Sequence, residues 1–334
     1  MKMFKRITAL VLCVILAAGF VPGPVQAKTK YKVSRENFYV YSNNKWVPKE
    51  ETKYTYSDGG RLKKTVYSYD GIKLDNSRYR TIKTTNYTYK DGKVSKLQYY
   101  NTKGEKHGYV NYTYKSNGRL EKWVERREDG TLKAQEVYYT AGQRKGKIKL
   151  HATYKTNGST VRTQEKYSYT FYKTGELKEE VCKSFIKGTS ETETTTRYNK
   201  DGTIKYVDLS LKTNNMTQKS HSDYSYTKSG SALKTQTIKT SEKQTFAKYQ
   251  WIRHEITEVT TYSTSGSSKG KPVSIETRYD GKVRASKNSD ISTSTKTEKY
   301  TFEYTYDDHG NLKQTLQRLN GGVYEKWTYK YKSF

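Results

Sequence analysis

Residues 304–312 read YTYDDHGNL, and variants of this phrase return along the whole chain. The copies are YTYSDGGRL at 54–62, YTYKDGKV at 87–94, YTYKSNGRL at 112–120, RYNKDGTI at 197–204 and YSYTKSGSAL at 224–233. The glycines that align these units are Gly60, Gly92, Gly118, Gly146, Gly175, Gly202, Gly230, Gly281 and Gly310. They recur at a period of about 28 residues, which is enough for two strands and two turns.

Each copy of the phrase predicts a β-hairpin. Residues two apart on a strand lie on one face, so Tyr304 and Tyr306 share a face. With Gly310 in the left-handed conformation at the end of a three-residue loop, Tyr306 would face Leu312 and Tyr304 would face Gln314. Aromatic and aliphatic side chains would then pair across the hairpin.

The spacing inside the other copies supports the same pairing. Tyr56 and Leu62, Tyr114 and Leu120, and Tyr198 and Ile204 keep a separation of six residues. Tyr89 and Val94 are five apart, and a two-residue loop of Asp91 and Gly92 restores the pair. Tyr226 and Leu233 are seven apart and need a longer loop.

The face opposite the tyrosines carries Lys, Thr, Ser, Glu and Gln, as in KTEKYTFEY at 296–304. This alternation is typical of an antiparallel sheet with one face in water. A bacterial outer-membrane barrel also alternates, but its lipid-facing side is apolar, whereas the second face here is charged. We therefore expect an all-β fold, an antiparallel meander of repeated β-hairpins of about 28 residues each, forming one elongated, curved or partly closed sheet.

The first 27 residues have the composition of a secretory signal peptide. A basic head is followed by an apolar run and by Val25-Gln26-Ala27, a small-residue cleavage signature. Residues 1–27 are therefore expected to be removed after Ala27, leaving residues 28–334 as one repeat domain with no transmembrane span. Of the 63 basic residues, three lie in the signal, so 60 remain against 33 acidic residues, a net charge of +27.

The phrase YTYDDHGNL closely resembles the motif of YD-repeat, or Rhs-type, proteins: an aromatic pair, an Asp, a turn with Gly-Asn and then Leu. YTYSDGGRL and YTYKSNGRL match without the Asp after the second Tyr. The resemblance implies an array of β-hairpins in an extracellular, bacterial setting. The period is longer than the usual one of that family. Because the last repeat runs to Phe334, we do not expect the toxin-encapsulating role of that family to apply here.

Residues that could support catalysis are few and scattered. The five histidines show no metal-binding spacing, and His309 has the place of a turn residue. Asp307 and Asp308 could be calcium ligands, but no other copy carries this pair of carboxylates, which favours turn chemistry. Cys182 is the one cysteine after the signal peptide and has no nearby histidine, so a half-buried strand thiol is favoured over a nucleophile. We expect no enzyme activity, no cofactor and no metal.

Charge and aromatic residues give the remaining functional hypothesis. The net positive charge of the chain would attract polyanions. Alternatively, the lysines could serve only to keep a thin sheet soluble. Tyrosine and tryptophan side chains could stack on sugars, although they could equally form the core. We expect a secreted or cell-wall-associated protein that binds an anionic cell-wall polymer or polysaccharide. The residues chosen for this contact are Trp46, Trp123, Trp251, Trp327, Lys122 and Lys326.

Two other functions remain open at this point. One is a structural or protein-interaction module of the cell envelope that binds another surface protein. The other is a secreted hydrolase. Nucleic acid is not expected as a dedicated partner of an exported chain.

Overall fold

A computed structural model describes residues 31–72, 78–247 and 250–333 of the chain, and the expected signal peptide lies outside these ranges. The described chain forms 20 β-strands. Their bounds are β1 Tyr31–Ser42, β2 Lys45–Tyr56, β3 Leu62–Ile72, β4 Arg78–Lys90, β5 Lys93–Tyr100, β6 Lys106–Tyr114, β7 Leu120–Arg126, β8 Leu132–Tyr138, β9 Ile148–Tyr154, β10 Val161–Phe171, β11 Leu177–Ile186, β12 Ser190–Tyr198, β13 Ile204–Thr213, β14 Thr217–Ser229, β15 Ala232–Ala247, β16 Gln250–Tyr262, β17 Pro272–Arg284, β18 Ser292–Tyr306, β19 Leu312–Leu319 and β20 Gly322–Ser333.

The strands form one closed antiparallel barrel. Every strand pairs with the next one in sequence, and β1 also pairs with β20, where Asn37 lies opposite Thr328. The amide of Asn37 donates a hydrogen bond to the Thr328 hydroxyl at 3.3 Å. The expectation of an elongated or partly closed sheet is therefore wrong. The all-β meander is as expected, but closure leaves the barrel without the unpaired edges of an open sheet.

The hairpin of the opening phrase forms with one change. Tyr306 pairs with Leu312, the Asp307 N–H donates to the Asn311 carbonyl at 2.9 Å, and Gly310 has φ 79°. A bulge then shifts the register, so that Tyr304 pairs with Thr315 rather than with Gln314. The bulge lets a turn with one left-handed glycine join two strands without separating them.

Other turns confirm or correct the repeat assignment. Asp91 and Gly92, at φ 50° and 77°, form the two-residue loop that brings Tyr89 opposite Val94. Gly281, in contrast, is not a turn residue, because it lies within β17 opposite His254. The expected pair of Tyr226 with Leu233 does not form, since Tyr226 pairs with Gln236.

Side chains alternate between two faces of the barrel wall, most clearly on β15. Ile238, Thr240, Glu242 and Gln244 are 4–6% exposed, while Lys239, Ser241 and Lys243 between them are exposed. Side chains on the concave side of a closed sheet converge, and those on the convex side spread into solvent. The buried set therefore points inward, into the lumen.

The register extends this assignment around the barrel, because directly paired residues lie on the same face. Tyr224 pairs with Ile238, so the tyrosine face is the inward face. In a barrel of 20 strands the side chains do not meet across the centre, and a lumen remains. Consistently, no large side chain of the described residues is less than 2% exposed. The described residues also contain no helix long and apolar enough to cross a membrane.

Candidate functional site

The inward face of the barrel is acidic. At the strand positions that the register assigns to this face, ten glutamates stand against four lysines, Lys45, Lys83, Lys228 and Lys296. The glutamates are Glu36, Glu50, Glu125, Glu136, Glu165, Glu180, Glu242, Glu258, Glu298 and Glu325. A concave surface lined by one sign of charge concentrates counter-ions of the other sign.

The outward face is basic, as is the chain as a whole, which carries 63 basic and 33 acidic residues. Its paired strand positions include Arg35, Lys53, Lys64, Lys96, Lys122, Lys166, Lys183, Lys212, Lys219, Lys239, Lys243, Arg253, Arg278, Lys282, Lys299, Lys326 and Lys330. The barrel wall therefore separates net charge, because carboxylates predominate inside, while outside the basic groups outnumber carboxylates such as Glu51, Asp208 and Glu255.

Tyrosine hydroxyls hold many of the inward carboxylates in place. Tyr167 donates to Glu165 at 2.7 Å, and Tyr54 donates to Glu36 at 3.2 Å. A hydrogen bond to an ionised acceptor is stronger than one between neutral groups. The phenols thus fix the carboxylates against the wall, where they line the lumen.

Glu136 is the most highly coordinated of these carboxylates. Its Oε1 accepts hydrogen bonds from the Trp123 indole N–H at 3.1 Å and from the Tyr138 hydroxyl. His151 Nδ1 lies 3.4 Å from Glu136 Oε2, and the Glu136 side chain is 14% exposed. Two strands, β8 and β9, and the indole on β7 therefore converge on one inward acid.

A ring of tyrosines lines one mouth of the barrel. Each hydroxyl donates to a backbone carbonyl of the preceding strand at 2.8–3.0 Å. The acceptor is the residue that opens that strand in five cases and lies one or two residues further on in the other two. We call these residues the tyrosine rim: Tyr56, Tyr89, Tyr114, Tyr169, Tyr226, Tyr304 and Tyr331.

Cations lie over five rings of the tyrosine rim. Each belongs to the residue just before the one that accepts the hydroxyl, and its distance to the ring centroid is 5.0–5.8 Å. These cations are Lys32, Arg61, Lys93, Lys147 and Lys271. Contacts of this kind are attractive and orient the basic side chain. The mouth is therefore basic, while the wall beneath it is acidic.

The six residues expected to contact a polymer are not brought together. Trp46 and Lys326 do meet on the outward face, where the Lys326 ammonium lies 4.4 Å from the Trp46 ring centroid. Trp251 and Lys122 also point outward, on β16 and β7. Trp123 and Trp327 point into the lumen, where Trp327 lies 5.2 Å from Phe38. As ligand contacts these six residues stay a prediction.

The remaining residues with reactive side chains are separated. Cys182 lies on the inward face opposite Tyr167, and burial raises the pKa of its thiol to about 11. Asp307 serves the turn, since its Oδ1 accepts the N–H groups of His309 and Asn311. Within the described ranges no three His, Cys, Asp or Glu side chains are placed to hold a metal ion.

No family model matches the chain, and no curated protein matches it. Among solved structures, a porin-like protein from Bacteroides uniformis is similar over 90% of this chain and 96% of its own, at 12% identity and TM-score 0.35. A porin-like protein from Bacteroides vulgatus is similar over 90% and 98%, at 10% identity and TM-score 0.31. OccAB4 of Acinetobacter baumannii is similar over 91% and 98%, at 9% identity and TM-score 0.30. At such TM-scores the likeness supports no argument about what this chain does.

Several sequence-based interpretations are corrected here. The YD-repeat interpretation is wrong, because the hairpins close into a 20-stranded barrel and no family model matches. Binding of an anionic polymer or polysaccharide to an open aromatic strip, or of another surface protein to a free sheet edge, is wrong as well. Closure turns the tyrosine face inward and pairs the terminal strands, β1 and β20. The expected location, secreted or at the cell wall with no membrane span, is wrong as well, because it assumed an open sheet at the cell surface, whereas the described strands close into a barrel.

Sequence reasoning also missed the acidic lumen, because it treated the tyrosine face as apolar. A signal was present in Glu136-Val-Tyr138, Glu165-Lys-Tyr167 and Glu298-Lys299-Tyr300. A spacing of two places each glutamate on the same strand face as its tyrosine.

Proposed function

We propose that the protein is a non-enzymatic hollow barrel that admits small, hydrophilic, positively charged solutes to its lumen and lets them pass along it. The observation that carries this proposal is the excess of inward carboxylates, ten glutamates against four lysines, in a chain whose net charge is strongly positive. If chance alone distributed the charges, the inward face would be basic like the rest.

The electrostatics of a concave wall support the proposal. Carboxylates that face a common lumen add their potentials, and the low-dielectric wall focuses the field inside. Cations are thereby enriched relative to anions, by a factor that falls as salt is added. The basic outward face is on the other side of the sheet and is in contact with bulk solvent, where its charges are screened.

The composition of the outward face indicates which side of the barrel wall the solute contacts. On β15 and β17 the outward side chains include Lys239, Lys243, Arg278 and Lys282. A band of this kind is unlike the apolar band that faces lipid in membrane barrels. The proposal therefore places the solute inside the barrel and requires no contact of these strands with lipid.

The inward thiol of Cys182 provides the experiment. In a Cys13→Ser background Cys182 is the single thiol, and its rates with a trimethylammonium-bearing and a sulfonate-bearing methanethiosulfonate are each divided by the rate with a free small thiol. After this correction we expect the cationic reagent to be faster by about tenfold or more at low salt. The difference should shrink as salt is raised.

An outward thiol is the matched control. Thr257 on β16 lies directly between Lys239 on β15 and Arg278 on β17, so Thr257→Cys in a Cys13→Ser and Cys182→Ser background should prefer the anionic reagent. Equal corrected rates at Cys182, or a faster anionic reagent there, would contradict the proposal.

A further inference from the structure

Two loops at the mouth that carries the tyrosine rim have the same structure. Residues 139–147 join β8 to β9, and residues 263–271 join β16 to β17. In each loop the first N–H donates to the last carbonyl at 2.9 Å. Gly142 and Gly266 occupy equivalent positions, with φ 66° and 67°. Both loops contain the pattern T-x-G-x-x-K-G-K, so the same local sequence builds the same turn twice.

The two loops differ in how the neighbouring strand closes them. Tyr169 and Tyr304 each donate to the carbonyl of the residue that follows the loop, at 2.9 and 2.8 Å. Two residues further along their strands are Phe171 and Tyr306. The Tyr306 hydroxyl donates to the Ser267 carbonyl at 2.9 Å and closes the second loop. Phe171 has no hydroxyl, so the first loop lacks this closing contact.

The space between the first loop and Phe171 is a cavity of about 350 Å³. It is lined by residues 141–144 of the loop and by residues 169–171 of β10. The backbone N–H groups of residues 141–144 donate to no acceptor in the part of the chain that the structure describes. Successive N–H groups of a turn form concavities that bind anions. The cavity therefore has unused hydrogen-bond donors on its loop side.

Two cations lie on aromatic rings at this cavity. The Arg144 guanidinium lies 5.6 Å from the Tyr139 ring centroid, and the Lys147 ammonium lies 5.0 Å from that of Tyr169. The two rings meet edge to face, with centroids 6.1 Å apart. These contacts bring the guanidinium and the ammonium into one neighbourhood and orient them. At the position of Arg144 the second loop has a serine, Ser268.

The carboxylates of the adjoining turn and strand do not neutralise these cations. Glu176 accepts the Thr174 hydroxyl, and Glu179 pairs with Arg197 at 2.7 Å. Glu180 lies opposite Tyr169 on the inward face. In the described chain no ion pair joins any of the three carboxylates to either cation, so only Glu180 remains to balance them.

The charge balance and the cavity lining select among anions. Lys145, on the same loop, and Lys149, whose ammonium lies 5.8 Å from the Tyr139 ring centroid, add further positive charge. Against the single carboxylate of Glu180 this leaves a surplus of at least two positive charges, which a dianion matches. A phosphate group carries about that charge at neutral pH, and a guanidinium can bind it through two parallel hydrogen bonds. The Phe171 ring offers apolar contact to an organic substituent.

We infer that the cavity beside Phe171 binds the phosphate group of a small organic phosphate, with Arg144, Lys147 and the N–H groups of residues 141–144 as its donors. The site lies at the basic mouth of the barrel and does not depend on passage of a solute along the lumen. It adds to the proposed function a second ligand of opposite charge, with its own position.

Phenyl phosphate is the probe for this site, measured with the full chain by isothermal titration at about 0.1 M salt, where general attraction to a basic surface is partly screened. We expect saturable binding to the wild type and a loss of about tenfold or more in affinity for Arg144→Gln. Lys269→Gln is the control, since it removes one positive charge from the loop that Tyr306 closes, and it should leave the affinity within about twofold. Equal losses for the two variants would overturn the inference, because they would show attraction to the basic mouth as a whole.

A substitution and a second ligand test the shape and the charge of the site. Phe171→Tyr supplies the hydroxyl that closes the second loop and should weaken binding by about fivefold or more. Benzoate presents one negative charge on the same ring and should bind the wild type about fivefold or more weakly than phenyl phosphate. Circular dichroism of each variant establishes that the strands are retained. Binding that is absent in the wild type, unchanged in Phe171→Tyr, or equally tight for benzoate would overturn the inference.

The two proposals fail in distinguishable ways. Arg144→Gln leaves every inward glutamate in place, so the preference of Cys182 for a cationic reagent should persist in this variant. If that preference holds in the wild type while phenyl phosphate does not bind, only the phosphate site is wrong. If phenyl phosphate binds as expected while the preference is absent, only the acidic-lumen proposal is wrong.

Discussion

The hydroxyl of Tyr89 donates a hydrogen bond of 2.8 Å to the carbonyl of Leu62, the residue that opens the preceding strand. Leu62 is also the cross-strand partner of Tyr56 in the hairpin before. The Arg61 guanidinium lies 5.8 Å from the Tyr89 ring centroid. One tyrosine therefore connects two successive hairpins, and the same connection recurs around the tyrosine rim.

Loss of this hydroxyl should weaken the barrel by a small, measurable amount. We expect Tyr89→Phe to lower the free energy of unfolding by roughly 0.5–1.5 kcal/mol, because the Leu62 carbonyl loses its donor while the ring still packs. Urea unfolding monitored by circular dichroism gives the value. Tyr109→Phe on the outward face is the control and should change stability by less than about 0.5 kcal/mol. Equal losses for both variants would refute the connecting role.

Replacement of Glu136 tests the inward carboxylate cluster. Glu136→Gln removes the charge that the Trp123 indole and the Tyr138 hydroxyl donate to. We expect a loss of roughly 1.5–3 kcal/mol in the free energy of unfolding, together with a change in Trp fluorescence. Glu193→Gln, which breaks an exposed ion pair with Lys183, should cost less than about 1 kcal/mol. If Glu136→Gln is no more destabilising than Glu193→Gln, the cluster does not support the wall.

His221 should make stability depend on pH. Its Nδ1 lies 2.6 Å from Asp208 Oδ1 and its Nε2 lies 3.2 Å from Asp223 Oδ1, both on the outward face. The hydrogen bond to Asp208, aided by Asp223, raises the pKa of His221. Because the folded-state pKa is raised, the added stability is fully present below the ordinary histidine value and is lost as the pH rises through the folded-state value.

We therefore expect Asp208→Asn to destabilise the protein more at about pH 5.5 than at about pH 9. Urea unfolding of wild type and variant at both values measures the difference. Asp280→Asn is the control, because its partner Arg278 stays charged throughout and the cost should be the same at both values. A cost of Asp208→Asn that does not change with pH would show that His221 is not the titrating partner.

The local part of the fold is predictable from the sequence because each hairpin is determined by a few adjacent residues. A glycine with positive φ, a tyrosine before the turn and an aliphatic residue after it are enough to place Tyr306 opposite Leu312. The bulge that moves Tyr304 from Gln314 to Thr315 is not visible in that pattern. It depends on how the turn geometry fits the twist of the two strands.

Closure is not predictable from the same pattern because it joins residues at opposite ends of the chain. Asn37 and Thr328 meet only after the twist and tilt of all intervening strands have accumulated. The sequence shows two alternating faces but not which of them encloses a lumen. The acidic site depended on that choice, since Glu242 is an inward residue only when Lys243 points outward.

Closure itself can be tested most directly with a pair of cysteines across the first and last strands. Asn37 and Thr328 lie opposite each other on the outward face, at a separation that suits a disulfide, since directly paired residues have Cα atoms about 4.5–5.5 Å apart. In a chain with Cys13→Ser and Cys182→Ser, we expect Asn37→Cys with Thr328→Cys to form an intramolecular disulfide in the monomer under mild oxidation, detected by mass spectrometry. Asn37→Cys with Thr297→Cys, on the more distant β18, should not form one. Free thiols or only intermolecular disulfides in the Asn37→Cys, Thr328→Cys chain would contradict the closed barrel, and with it the lumen.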